Sequence, residues 1–114
     1  MGWSIWIGVR GKVSGDMVEL ASENYTHNTN GMIRQAGIPD WPYDFLDNLR
    51  DNGKAGDMVE PLQRVLRNMR SEPAKYRAMN PPNGWGNYAS LIPVLERLVD
   101  ACEDFPDASV GHCS

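Results

Sequence analysis

The first residues of the chain alternate between apolar side chains and polar or small ones. Every second residue from position 3 to position 9 is apolar, which is typical of a β-strand with one buried face. Residues 11–16 contain glycine, serine and lysine and predict a turn. A second alternation over residues 18–24 completes a predicted β-hairpin, and residues 108–113 predict one more short strand around Val110.

Farther along the chain, apolar residues recur at intervals of three and four, the spacing of an amphipathic helix. The clearest example follows Asp57 and Glu60, which have the spacing of a capping box, and Pro61 fits the first turn of such a helix. Its apolar stripe consists of Met58, Leu62, Val65, Leu66 and Met69. This pattern predicts a helix with one face on the core.

Two shorter helices are predicted before it. The first is capped by Asn28 or Asn30 and ends at Gly37, which we expect to adopt the left-handed conformation. The second covers residues 43–52.

A last helix is predicted over about residues 88–103. Pro93 lies either in its first turn, with Ser90 as the cap, or at a kink. The order of strands and helices is typical of an α+β fold. We therefore predict a single domain spanning residues 1–114, in which a small antiparallel sheet, built from the N-terminal hairpin and the C-terminal strand, packs against three to five helices.

Composition and charge exclude several classes of protein. Apolar residues make up 41% of the 114 residues and charged residues 23%, as in ordinary globular domains. A formal net charge of -4 argues against binding to nucleic-acid polymers. The start of the chain lacks the layout of a signal peptide, and no apolar run has the length of a membrane span. These features predict a cytoplasmic protein without a membrane partner.

The cysteines and histidines do not form a recognisable metal motif. Cys102 and Cys113 are expected to be free thiols, one packed and the other near the end of the chain. His112 is adjacent to Cys113, and His27 is distant in sequence, so the spacing matches no zinc pattern. We expect neither a metal ion nor a cofactor.

The first candidate binding segment lies where the hairpin gives way to helix. It consists of Asn24, Tyr25, Thr26, His27, Asn28 and Asn30, with Thr29 between the last two asparagines. Their donors and acceptors suit a polar ligand, as do the free N–H groups of a helix N-terminus. The alternative, that these side chains cap their own backbone, is the commoner role of such residues.

The second candidate segment is the loop that precedes the last helix. It contributes Asn80, Asn83, Trp85 and Tyr88 as candidate ligand-binding residues. Glycines flank Trp85 on both sides and leave the faces of its indole uncovered, so the ring is suited to stacking on a base or another ring. The alternative is a tryptophan that plugs the core beneath the loop, and the plug is our expectation.

Catalytic motifs are missing from the sequence. His27 is the histidine best placed for acid–base chemistry, with Asp16, Glu19 or Glu23 as groups that would orient it. Without a nucleophile motif or a metal pattern, the sequence favours a binding protein over an enzyme.

Three segments of the chain form recognisable motifs. They are Tyr25-Thr26-His27-Asn28, the Asn-Pro-Pro-Asn-Gly-Trp-Gly-Asn-Tyr run of residues 80–88, and the segment 101–108. Together they resemble a family of small hypothetical proteins encoded by actinobacterial phages and their hosts. The similarity extends over most of the chain and is most specific in the Asn-Gly-Trp-Gly loop. It implies a source and transfers no catalytic residue.

A phage origin favours functions that work by binding in the host cytoplasm. One is sequestration of a small polar or nucleotide-like ligand, such as a host-defence signal. The other is an interaction with a host protein through an exposed patch containing Trp41, Tyr43 and Phe45. Trp3, Trp6 and the helix stripes are also compatible with a homo-oligomer.

Overall fold

The computed structural model describes residues 2–113, which form a three-stranded antiparallel sheet and five α-helices. The sheet has the order β2-β1-β3. The elements in chain order are β1 (Gly2–Arg10), β2 (Met17–Thr26), α1 (Asn30–Ala36), α2 (Tyr43–Asn52), α3 (Val59–Ser71), α4 (Pro73–Arg77), α5 (Tyr88–Asp104) and β3 (Ser109–Cys113). The predicted α+β class is confirmed.

The first strand lies at the centre of the sheet and contributes its alternate residues to the core. Trp3, Ile5 and Ile7 are buried, as the alternation predicts. Val9 was expected to continue this face, but 43% of its surface is exposed. The register between β1 and β2 shifts at Ile7 and Gly8, and pairing with β3 stops at Gly8. Val9 therefore lies beyond the part of the sheet that the rest of the molecule covers.

The helix α3 buries the predicted apolar stripe, with Met58 in the turn before it. Asp57 and Glu60 were expected to form a capping box at the start of α3. This expectation is wrong, because the Asp57 side chain caps a turn that precedes α3. A short 3-10 helix, Ala55–Met58, precedes α3, and the Asp57 carboxylate accepts a hydrogen bond from the Lys54 backbone N–H at 2.9 Å. The acidic residue therefore caps the 3-10 turn that leads into α3.

The last helix, Tyr88–Asp104, begins where the sequence predicted, but its cap is a different residue. Asn87 is its cap, because the Asn87 side-chain oxygen accepts a hydrogen bond from the Ser90 N–H at 2.8 Å. Ser90 therefore lies inside the first turn and is not the cap. Pro93 lies inside the helix, beyond the first turn.

The two cysteines lie in different environments. Cys102 is completely buried in α5, and Cys113 is exposed on β3, with no disulfide between them. Burial raises the pKa of the Cys102 thiol to about 11, since a thiolate is poorly solvated there. Among residues 2–113, none of the helices combines the length and the apolar character needed to cross a membrane.

Candidate functional site

A cleft of about 750 Å³ lies between one end of the sheet and the loop before α5. It is lined by residues 2–4 of β1, residues 24–26 of β2, residues 84–87 of the loop, and Ser90. Its size falls within the range of about 300–1,000 Å³ that is usual for small-molecule sites. The two polar segments that the sequence singled out separately therefore meet at one cleft.

Tyr25 joins the two walls of the cleft. Its hydroxyl accepts a hydrogen bond from the Asn87 backbone N–H at 3.0 Å and lies 3.2 Å from the Asn87 carbonyl oxygen. The hydroxyl is also within hydrogen-bond distance of the Ser90 hydroxyl. A single side chain of β2 thus holds the start of α5 in place.

Gly86 brings the loop into contact with β2. Its φ is +86°, and a Cβ added at this position would lie 2.5 Å from Cγ2 of Thr26. Only glycine combines this backbone conformation with such a close approach. The loop is therefore anchored immediately after Trp85.

The indole of Trp85 projects from the anchored loop into solvent, with 64% of its surface exposed. Gly84, with a φ of +74°, precedes it, and the Asn83 side-chain oxygen accepts a hydrogen bond from the Trp85 N–H at 2.9 Å. The expectation that Trp85 plugs the core is wrong. The two left-handed glycines turn the backbone so that the residue between them faces outward.

The two candidate segments also contact each other directly. The Asn28 side-chain amide donates a hydrogen bond to the Trp85 carbonyl at 3.4 Å. Thr26, rather than Asn28 or Asn30, caps the 3-10 turn His27–Thr29, because its hydroxyl accepts a hydrogen bond from the Asn28 N–H at 3.4 Å. The polar segment therefore caps its own backbone and also lines the cleft.

The predicted site residues divide into two groups. Asn24, Tyr25, Thr26 and Trp85 line the cleft. The other predicted residues lie outside the lining and are His27, Asn28, Asn30, Asn80, Asn83 and Tyr88. Ligand binding by either group stays a prediction.

Three members of the outer group, Asn30, Asn80 and Tyr88, have partners in the helical layer. The Asn30 side-chain oxygen accepts a hydrogen bond from Nε1 of Trp41 at 3.1 Å, and both residues are buried. The Tyr88 hydroxyl donates to the Met69 carbonyl at 3.0 Å, while the Tyr88 N–H is bound by Asn80 at 2.8 Å. These contacts hold the helical layer together beneath the loop.

Sequence reasoning missed Ser4, Asn87 and Ser90 as lining residues. The alternation of apolar and polar residues in β1 could have identified Ser4, because it places the Ser4 side chain on the opposite face of the strand from Trp3 and Ile5. Ser4 pairs with Asn24 across the two strands, which places both side chains on the same face of the sheet. Within the described residues, neither side chain makes a hydrogen bond, so both are available to a ligand.

The lining also contains a buried donor without an acceptor. Trp3 is almost fully buried, and its Nε1 has no hydrogen-bond partner among residues 2–113. Unsatisfied buried donors are uncommon in folded proteins. The Trp3 N–H is buried, so the groups that the cleft presents are an exposed indole, a free amide and a free hydroxyl.

The prediction that Trp41, Tyr43 and Phe45 form an exposed patch is wrong, whereas binding of a host protein stays a prediction. Trp41 is buried, with only 2% of its surface exposed, and its ring packs edge-on against Trp3 at a centroid distance of 5.4 Å. Phe45 is half-buried against Trp41, which leaves Tyr43 exposed. Trp41 belongs to the core and Phe45 packs against it.

Within residues 2–113, no group of three or more histidine, cysteine, aspartate or glutamate side chains is placed to hold a metal ion. His112 contacts Asp47 of α2, with 2.7 Å between Nε2 and the carboxylate. Glu23, one of the groups considered to orient His27, binds Arg97 at 3.0 Å. A catalytic role for His27 stays a prediction.

The site contains an exposed aromatic ring and neutral hydrogen-bonding groups, which are features of ligand recognition that occur on many unrelated folds. Comparison with known proteins finds no family model, no curated protein and no solved structure that matches the chain.

Proposed function

We propose that the protein is a small, non-enzymatic binding protein whose cleft holds a small polar ligand with a planar, nucleotide-like ring. The observation that carries this proposal is the exposed indole of Trp85 on an anchored loop. An indole in this position offers a flat apolar face for stacking. Stacking on such a surface contributes about 1–3 kcal/mol per base.

Contacts on both sides of Trp85 hold the loop in one conformation. Tyr25 holds Asn87, and Gly86 lies against Thr26, so the residues on the C-terminal side of Trp85 are held to β2. On the other side, Asn83 binds the Trp85 N–H. A preorganised loop loses little conformational entropy on binding, which favours affinity for a small ligand.

The resemblance to phage-encoded proteins suggests a biological role for such a cleft. We propose sequestration of a small signalling molecule of the host, which would need only binding and no turnover. Sequestration succeeds when the protein binds the molecule tightly and is as abundant as the molecule itself.

Thermal unfolding in the presence of a metabolite library tests the proposal. A ligand present at 100 times its dissociation constant stabilises the folded state by about 2.7 kcal/mol. For a domain of this size, we expect the Tm to rise by roughly 10 °C. The library should include nucleobases, nucleosides, nucleotides and cyclic nucleotides.

Two variants show whether a stabilising compound occupies the cleft. Trp85→Ala should abolish most of the rise in Tm, because the stacking surface is gone. Tyr43→Ala removes another exposed aromatic residue, outside the cleft lining, and should leave the rise unchanged. A library without any stabilising compound, or a rise that persists in Trp85→Ala, would contradict the proposed function.

A further inference from the structure

Ser4 and Asn24 are directly opposite each other on β1 and β2, at the end of the sheet where the cleft opens. Asn24 is exposed and Ser4 is half-buried. Neither side chain forms a hydrogen bond within residues 2–113, so neither has a structural partner there. An asparagine amide presents one donor and one acceptor side by side, and a serine hydroxyl adds a further donor or acceptor.

Charge is missing from the same lining. Residues 2–4, 24–26 and 84–87, together with Ser90, include no lysine, arginine, histidine, aspartate or glutamate. The carboxylate nearest in sequence to Asn24 is that of Glu23, which Arg97 neutralises through contacts of 3.0–3.3 Å. The site therefore offers no cationic side chain for a phosphate group, on a chain whose net charge is -4.

We propose that the cleft recognises the uncharged part of its ligand, a nucleobase or nucleoside, and disfavours phosphorylated forms. Trp85 stacks on the ring, the Asn24 amide binds adjacent donor and acceptor atoms on the edge of the ring, and Ser4 contributes a further hydrogen bond. Paired amide contacts of this kind discriminate between bases elsewhere. This inference rests on the proposed function, because it names the ligand class of the same cleft.

Isothermal titration calorimetry with matched probes tests this inference. The probes are adenosine, guanosine, cytidine and uridine, each compared with its own 5′-monophosphate. We expect at least one nucleoside to bind and its monophosphate to bind about tenfold more weakly, because an unpaired phosphate must lose part of its hydration.

Two pairs of variants locate the contacts. Asn24→Ala should weaken binding of that nucleoside about tenfold, since two neutral hydrogen bonds are lost. Ser4→Ala should weaken it by a smaller factor of about three to five. The matched controls are Asn48→Ala on α2 and Ser22→Ala on β2, both exposed residues outside the lining, and they should bind like the unmodified protein. Urea unfolding of each variant shows that it is folded.

The outcomes separate this inference from the proposed function. Tighter binding of a monophosphate than of its nucleoside would overturn the preference for uncharged ligands and leave the cleft as a ligand site. Equal binding by Asn24→Ala and the unmodified protein would overturn the assigned role of Asn24. If no nucleoside binds while another library compound raises the Tm in a Trp85-dependent manner, the inference fails and the proposed function stands.

Discussion

Trp41 and Trp85 have opposite environments in this molecule. Trp41 is buried, with its N–H bound by Asn30 and its ring against Trp3. Trp85 has most of its surface in solvent, and its backbone N–H and carbonyl are hydrogen-bonded to Asn83 and Asn28. Sequence reasoning expected the reverse, a surface patch around Trp41 and a buried plug at Trp85.

The difference shows what decides the burial of a tryptophan. Trp41 has a buried acceptor for its N–H and aromatic neighbours that cover its ring. Trp85 lies between two glycines whose positive φ angles direct it away from the core. Hydrophobicity is the same in both cases, so backbone direction and the available hydrogen-bond partner determine the outcome.

The largest expected effect is on stability and distinguishes the two tryptophans directly. Trp41→Ala should lower the free energy of unfolding by about 3–5 kcal/mol, because it leaves a large cavity in the core. Trp85→Ala should change it by no more than about 0.5 kcal/mol, as an exposed substitution does. Urea denaturation followed by far-UV circular dichroism measures both. Similar losses in the two variants would mean that the indole of Trp85 also packs on the protein.

Alanine substitutions at the two glycines that flank Trp85 test whether the loop backbone keeps this residue exposed. Both have positive φ angles, and an alanine at either position costs about 1–2 kcal/mol of backbone strain. Gly86→Ala also forces a Cβ against Thr26, so we expect a total loss of about 2–4 kcal/mol. Gly84 has open space around it, so Gly84→Ala is the matched control and should show the strain alone.

Acrylamide quenching of tryptophan fluorescence reports on the loop in the same two variants. In Gly86→Ala the loop should detach from β2 and the accessibility of Trp85 should change, whereas Gly84→Ala should leave the contact with β2 intact. Equal stability of the two variants would show that the contact between Gly86 and Thr26 does not restrain the loop.

The smallest expected change in stability comes from replacing the asparagines that accept hydrogen bonds from the two tryptophans. Asn30→Ala removes the acceptor of the buried Trp41 N–H and should cost about 1–3 kcal/mol, since that donor would be left unsatisfied. Asn83→Ala removes the acceptor of the Trp85 backbone N–H on an exposed loop, where water replaces it, and should cost no more than about 0.5 kcal/mol. Urea denaturation again compares them, and a smaller loss in Asn30→Ala than in Asn83→Ala would contradict this assignment.

Much of the fold followed from local patterns. The alternation in β1 and the apolar stripe of α3 predicted which residues are buried, because the periods of strand and helix fix the faces of these elements. The failures lie at element ends. Val9 is exposed where β3 stops pairing, and the cap of α5 is Asn87 rather than Ser90. Those positions depend on neighbours from other parts of the chain.

The sequence predicted which segments contribute to the candidate site, but not which individual residues line it. Asparagine-rich and glycine-flanked segments drew attention to residues 24–30 and 80–88, and both contribute to the cleft. The sequence did not identify Ser4 as a lining residue or show that Asn30 and Tyr88 are structural. Those assignments follow from strand register and helix packing, which a single local pattern does not contain.

Local periodicity was enough to predict the α+β class, the first strand and the main amphipathic helix, because each depends on residues close together in the chain. The burial of Trp41, the exposure of Trp85 and the availability of polar side chains at the cleft depend instead on the packed molecule. Burial and hydrogen bonding involve groups that come from distant parts of the chain. Asn30 meets Trp41, and Tyr25 meets Asn87, only after the sheet and the helices have packed together.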